Sequence, residues 1–489
     1  MLELCHDYRE NVQRVDDVLR VCECFDIIKK TLFVGENETT LYYIDGFVDG
    51  GSMNRLMFYF LSLKNLGTPT GDGEDAAARY FVEHHMPFVE AEVMSDGEKI
   101  LQMLLSGTTL MLGETFGSYA VIIDSRTYPA RSVAEPETDR VMMGSRDGFV
   151  ETLVFNTALI RRRIRDPALT MQYFTVGARS KSDVVLCYLE GQADPGYVSF
   201  LQNRLRKIRT GALTMGHESL AELLIHDKWY NPFPKIRYTE RPDVAAAQVL
   251  EGSVLVIIDN SPEIMVFPST IFDFMQETND FYFPPLTGSY IRLVRHLVFW
   301  ATLFLVPVWF FFTQNPELTP AFLRFVLPES TGKIPIFVQL ILVEFMIDGL
   351  RMASMNTPNM LSNSLSVVGG LILGDFAVSV GWLIPEVILY MAFVAIANFS
   401  QRSYQLGYAF KFLRIGLLVC IYLFGGAGLV IGAVGAFLLL VTNKTANGKR
   451  SYLYPLIPFN GKALYSMFFR MRKDKFPDTN GIRRSKTGK

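Results

Sequence analysis

The chain has 489 residues, with 47 Lys or Arg against 49 Asp or Glu and a formal net charge of -2. At about 150 residues per unit that length is too great for one ordinary core, and five scattered cysteines (Cys5, Cys22, Cys24, Cys187, Cys420) make neither a disulfide framework nor a metal site. The charge is polarised: from Thr442 onward there are 12 basic and 2 acidic residues, leaving 35 basic and 47 acidic upstream.

Met1 to Arg20 is charged throughout and lacks the apolar core of a signal peptide, so the N-terminal region is expected to stay in the cytoplasm. A first unit, within 1–143, shows short apolar runs at Thr40–Ile44 and Thr108–Leu112 and a strand-like Tyr119–Asp124, separated by turn residues. Residues 144–179 form a connecting basic helix. Phe149, Leu153, Ala158, Ile160 and Ile164 mark its apolar stripe, and Arg161, Arg162, Arg163 and Arg165 crowd its C-terminal end, where cations suit the helix dipole. The cluster reads either as a solvated helix end or as an assembly surface toward another subunit or lipid head groups. A second unit spans 180–289. Asp183–Glu190 is a buried strand, Asp194 and Pro195 sit at the N-cap and N1 positions of a helix, and Gly252–Pro268 is a strand pair turning at Asn260, Ser261 and Pro262. The two units share a pattern of glycine, strand, turn and strand, with Gly107 matching Gly252. The expected fold is therefore two related α/β subdomains.

Residues 290–443 read as an all-α polytopic membrane domain of about four to six helical segments. Leu297–Thr313 is uninterruptedly apolar, and Arg292 and Arg295 before it place its start on the inside. Ile334–Met352 contains Glu344 and Asp348 on one helix face. Leu365–Gly381 is short and glycine-rich, and Trp382–Phe399 follows it. Phe412–Asn443 is too long for one upright helix and carries Gly425, Gly426 and Gly428 at its middle; it is a tilted span or a tight hairpin. With both ends inside, the number of crossings is even. The basic tail, 444–489, reads as cytoplasmic, not as a nucleic-acid arm, because it follows membrane segments directly.

Ionisable side chains in membrane segments cost about 2.5–3.5 kcal/mol each on insertion scales and normally face a bundle interior or a watery path. Glu344, Asp348, Asp375 and Glu386 are such groups. The uncharged polar elbow Asn356–Ser364, broken by Pro358, suits a backbone that lines a cavity. The candidate ion path is Asn356, Pro358, Asn359, Ser362, Ser366, Val367, Gly370, Leu371, Gly374 and Asp375, where a ring of acids contributed by several copies would favour cations. Enzyme signals are absent: there is no phosphate-binding loop, nucleophile elbow or zinc-protease helix, and no cofactor or metal is expected. His217, Glu218 and His226 miss the zinc-protease spacing and read as surface residues.

Four stretches in order, Arg161–Pro167, Thr239–Asp243, Val249–Pro262 and Ser366–Val378, resemble the A subunits of GerA-type spore germination receptors. That resemblance implies a two-part cytoplasmic region, a membrane domain in the inner membrane of a bacterial spore, and homo-oligomeric, pentameric ion channels that open on germinant sensing. Other germination membrane proteins and membrane lipid are the implied partners, and no nucleic acid is. Cys24–Thr31, Thr127–Glu137, Lys228–Lys235, Asn356–Ser362 and Arg450–Asn460 are similar to one branch of the family. Where receptor A subunits carry a second proline and a Gly-Gln pair, this chain has Met360, Ser362 and Asn363, and Asp375 stands at a common Gln. A downstream channel that conducts or amplifies ion release therefore fits better than a direct nutrient receptor. The alternatives are a non-conducting scaffold for germination proteins or a secondary transporter, for which the segments are too few.

Overall fold

The computed structural model describes residues 2–69, 73–88, 90–128, 145–225, 230–277, 279–329, 332–356, 377–401, 403–448 and 451–470. The chain forms two compact units, one built on Met1–His226 and Ile236–Ser269, the other on Asp227–Lys235 and Thr270–Thr479.

The first unit is a duplicated motif. Its first copy runs α1 (Tyr8–Leu19), β1 (Ile27–Val34), β2 (Asn37–Ile44), α2 (Gly50–Ser62), α3 (Ala76–His85), β3 (Ala91–Met94), α4 (Gly97–Leu105), β4 (Thr109–Gly113) and β5 (Ala120–Ile123). The second runs α5 (Leu153–Arg163), β6 (Leu169–Val176), β7 (Ser182–Leu189), α6 (Pro195–Lys207), α7 (His217–Leu224), β8 (Arg237–Thr239), α8 (Pro242–Leu250), β9 (Val254–Ile258) and β10 (Ile264–Phe267). The sheets have matching strand orders, β1-β2-β4-β5-β3 and β6-β7-β9-β10-β8, and every pairing is antiparallel. Gly107 and Gly252 both enter their strands at positive φ, 107° and 89°, a conformation glycine adopts without strain. The related subdomains expected from sequence are therefore present.

Local chemistry explains the elements. Asp7, Asp49, Asp96 and Asp194 each cap a helix, their carboxylates accepting backbone N–H groups of the first turn, and Pro195 occupies N1 of α6. Both faces of the first sheet are covered, so its central strands read as continuous apolar runs. Tyr42, Leu110, Leu112 and Ile122 pack toward α1 and α4, while Leu41, Met111, Val121 and Ile123 pack toward α2 and α3.

The two copies are joined through Asp26 and Arg161. The Arg161 guanidinium is 0% exposed and donates to both Asp26 carboxylate oxygens, at 2.7 and 3.1 Å, and to the Leu169 carbonyl at 3.0 Å. Phe25 N–H donates to the Met171 carbonyl at 3.1 Å beside it. The arginine cluster is thus divided. Arg161 is an internal strut and not part of an outer face, because its partner lies 135 positions upstream and draws it inward. Arg162 stacks on the Tyr128 ring, Arg163 pairs with Asp147 at 2.5 Å, and Arg165 is exposed. Burial opposes ionisation of Asp147, yet the Ser145 hydroxyl and Arg163 hold its carboxyl below the usual range. Burial pushes the Cys24 and Cys187 thiols up, so neither is a reactive thiolate. His217 is only partly exposed: its Nε2 meets Glu263 at 2.8 Å and its Nδ1 the Ser261 hydroxyl at 2.8 Å.

The second unit is helical. A capping box on Thr270 and Asp273 opens α9 (Ile271–Met275), and α10 (Asn279–Tyr282) leads into α11 (Pro285–Gln314). Then come α12 (Ile336–Asn356), the short α13 (Ala377–Ser379), α14 (Pro385–Phe399), α15 (Tyr404–Thr442) and α16 (Gly461–Phe468). Among the described residues, α11 and α15 are long and apolar enough to cross a membrane.

The last long helix is a hairpin and not a tilted span. Gly425 breaks it with φ 57° and ψ -132°, and the arms, 404–424 and 426–442, fold against each other. A Cβ on Gly432 would lie 3.4 Å from Leu417 Cα, and one on Gly428 would collide with the Cys420 carbonyl group. At Gly428, which abuts backbone, only glycine permits so close an approach of two helices, whereas at Gly432 a small side chain fits once the Leu417 side chain shifts.

Candidate functional site

The ends of the helices in the second unit can be matched from their contacts. Gln339 near the start of α12 accepts the Ile384 N–H at 2.9 Å, and Lys333 N–H donates to the Gly381 carbonyl at 3.1 Å. At the other end, the Arg351 guanidinium lies over the rings of Phe399 and Tyr408. Helices α12 and α14 are therefore parallel, with α11 and the first arm of α15 running the opposite way. The start of α11 and the end of α15 share one end of the bundle, where Phe299, Leu303, Leu406 and Leu440 meet in one core.

Within this frame α12 presents Glu344 and Asp348 four residues apart, and α15 presents Lys411 and Arg414 three apart, so each pair occupies one helix face. The Arg414 guanidinium is 0% exposed; its Nε and Nη2 each reach Glu344 Oε1 at 2.6 Å, and its Nη1 donates to the Thr302 carbonyl of α11 at 2.7 Å. Lys411 pairs with Asp348 and lies 3.7 Å from Glu344. Three helices are thereby tied by one ionic cluster. A cleft opens beside it, lined by Asp348, Arg351, Asn398, Tyr408 and Lys411. Unpaired, each acid would cost about 2.5–3.5 kcal/mol in a membrane; the two bases offset that cost and leave the acids structurally committed.

Sequence reasoning found the acids but missed the bases. Lys411 sits one residue before the apolar run that begins at Phe412, and Arg414 is a single charge inside it; their three-residue spacing was the available signal. Glu386 sits in the first turn of α14, where its charge suits the helix N-terminus. Arg292 and Arg295 are both engaged within the chain: Arg295 pairs with Asp280 at 2.5 Å and Glu277 at 2.7 Å, and Arg292 donates to the Ser466 carbonyl. Of the candidate path, Asn356 closes α12. Pro358, Asn359, Ser362, Ser366, Val367, Gly370, Leu371, Gly374 and Asp375 lie outside the described residues. Among the described residues, no cluster of His, Cys, Asp and Glu could hold a metal ion.

The sequence profile of the Bacillus/Clostridium GerA spore germination protein family matches residues 14–479. Stage V sporulation protein AF of Bacillus subtilis is 37% identical over 449 residues, covering 92% of this chain and 89% of its own. Spore germination protein KA of the same species is 26% identical over 452 residues, covering 91% of this chain and 81% of its own. Among solved structures, the N-terminal domain of the A subunit of the Bacillus megaterium spore germinant receptor GerK3 aligns with a TM-score of 0.40 at 23% identity, covering 54% of this chain and 95% of that one.

Proposed function

The chain belongs to the GerA family of spore germination proteins and is a membrane protein of that type, and from that premise we propose that it is one subunit of a homo-oligomeric ion channel that conducts or amplifies ion release during germination. The observation that carries this reading is the parallel run of α12 and α14. The 20 residues between Asn356 and Ala377 join opposite ends of two parallel helices, and they include the polar elbow and Asp375. The Glu344–Arg414 cluster anchors the helix that leads into that stretch. Since Glu344 and Asp348 are neutralised inside one chain, they are not themselves the path. That role falls to Asp375, which would form a ring of acids in a closed oligomer. The names of the relatives are those of germination and sporulation proteins, and no catalytic role is proposed.

We place the protein in the inner membrane of the spore, with the large first unit and the basic tail on the cytoplasmic side and other germination membrane proteins as partners. Supporting this, the start of α11 and the end of α15 lie at one end of the bundle, followed by the tail with its 12 basic residues. The arginine cluster, without Arg161, leaves Arg165 and the ring-stacked Arg162 as candidates for an assembly surface. The scaffold reading gains from the internal pairing of Glu344 and Asp348, which removes two carboxylates from the argument for conduction.

The test is the purified full-length protein in liposomes with an ion-flux readout. Asp375→Asn should alter cation conductance or selectivity while insertion and assembly persist. Cysteines placed along 365–381 should label with a water-soluble thiol reagent in a helical pattern that includes position 375. Absence of flux from a correctly inserted oligomer would favour the scaffold.

A further inference from the structure

We propose that residues 456–469 form an interfacial anchor that docks on anionic lipid head groups. Helix α16 is held against the start of α11, the end at which the chain enters the bundle. Arg292 Nη1 donates to the Ser466 carbonyl at 2.9 Å, Arg470 N–H donates to the Ser289 hydroxyl at 2.9 Å, and the Phe468 ring meets His296 at 4.6 Å. Its inner face, Ala463, Ser466 and Met467, is buried. Its outer stripe is Lys462, Tyr465 and Phe469, with the two rings stacked at 4.9 Å. The loop before it exposes Leu456, Ile457 and Phe459, the last 74% exposed. A short helix with one face packed on the first turns of a long apolar helix and aromatic side chains outward suits an element buried at the head-group boundary.

Charge identifies the occupant. From Val387 to Lys473 the sequence holds no Asp or Glu, and the stretch around the anchor carries Lys444, Lys449, Arg450, Lys462, Arg470, Arg472 and Lys473. Lys444 and Lys462 are exposed; Lys462 lies on the outer stripe, and Lys444 is bridged to Ser451, five residues before the exposed loop. A second copy of the chain placed on this face would bring the same sign of charge, whereas an anionic head-group layer complements it. Tyr290, Leu293 and Leu297 on the same first turns of α11 also expose apolar side chains.

The experiment uses the full chain in nanodiscs. Cys5 and Cys420 are replaced by Ser throughout, Cys22 is replaced in every variant but the aqueous reference, and the buried Cys24 and Cys187 stay. A single cysteine at position 459 or 465 then carries an environment-sensitive fluorophore, with one at the exposed Phe437 position of α15 as an insertion reference and one at native Cys22 as an aqueous reference. The labels at 459 and 465 are expected to emit blue-shifted relative to Cys22. Nitroxides near the head groups should quench them more than nitroxides deep in the chains, and more so with phosphatidylglycerol than with phosphatidylcholine alone. Lys444→Gln and Lys462→Gln should each lower that preference about fivefold. Labels as aqueous as Cys22 beside an inserted Phe437 position would overturn the proposal. So would quenching indifferent to phosphatidylglycerol. Shielding that disappears when the nanodiscs are loaded with one copy each would assign the face to a second copy and would also overturn it. An aqueous signal at position 437 would instead refute the membrane reading on which the anchor rests.

Discussion

Replacing Arg161 by Met should destabilise the first unit more than almost any other single change in it. The substitution keeps the volume of the side-chain stem but strips Asp26, 1% exposed, of its countercharge. Removing one partner of a buried ion pair costs about 3–5 kcal/mol, because the remaining charge is uncompensated. The Leu169 carbonyl, which accepts from Arg161 at 3.0 Å, also loses that donor and keeps only the weak Cys24 thiol, adding about 1 kcal/mol. The total of about 4–6 kcal/mol corresponds to a fall in Tm of roughly 10–20 °C for a domain of this size. The assay is thermal and urea unfolding of residues 1–284, which should be soluble alone and unfold cooperatively. A second variant, Asp26→Leu with Arg161→Met, separates pairing from packing: with both charges gone, most of the loss should be recovered. A single-variant loss below about 1 kcal/mol, or a double variant no better than the single, would show that water reaches the pair and would refute the account of Arg161 as an internal strut.

Glu344→Gln should strand Arg414 in the membrane bundle and lower its thermal stability in detergent, with partial rescue by Glu344→Gln combined with Arg414→Gln; no loss in the single variant would show the pair to be dispensable. The Gly432 Cβ position lies 3.5 Å from Cys420 Cβ, a separation that suits a disulfide, so Gly432→Cys should crosslink to Cys420 under mild oxidant. In a straight helix the two positions would be about 18 Å apart and no crosslink could form. His217 gives the first unit a pH dependence. The hydrogen bond to Glu263 raises the His217 pKa above its ordinary 6.5 despite opposing burial. The stability it contributes is present in full below 6.5 and is lost as pH rises through the raised value, and Glu263→Gln should flatten that part of the profile.

What could be read from sequence was local. The Asp194–Pro195 cap, the turn at Asn260–Pro262 and the Gly107–Gly252 correspondence each depend on a few adjacent residues, and each is found in the fold. The shared strand order of the two copies was out of reach, since β3 and β8 are short and carry little pattern. Helix α1, inside a stretch read only as charged, shows its amphipathic face through Tyr8, Asn11, Val15 and Leu19. Arg161 misled because burial is decided by a partner far away in the chain, and nothing at positions 161–165 names Asp26. Glu344 and Asp348 were visible as costly groups, but their neutralisation needed the face of a helix some 65 residues later.

That delay bears on how the protein is made. As α12 leaves the ribosome it carries Glu344, Asp348 and Arg351, and the bases that pair with the two acids in the fold, Lys411 and Arg414, are not yet synthesised. On insertion scales the charges cost more than its apolar residues return, so α12 is a poor membrane segment until Lys411 and Arg414 have been translated. Its entry into the bilayer is therefore expected to be a late, cooperative step, coupled to arrival of the glycine hairpin. A chain truncated before Tyr404 should show α12 outside the bilayer in glycosylation mapping, and extension through Thr442 should bring it in.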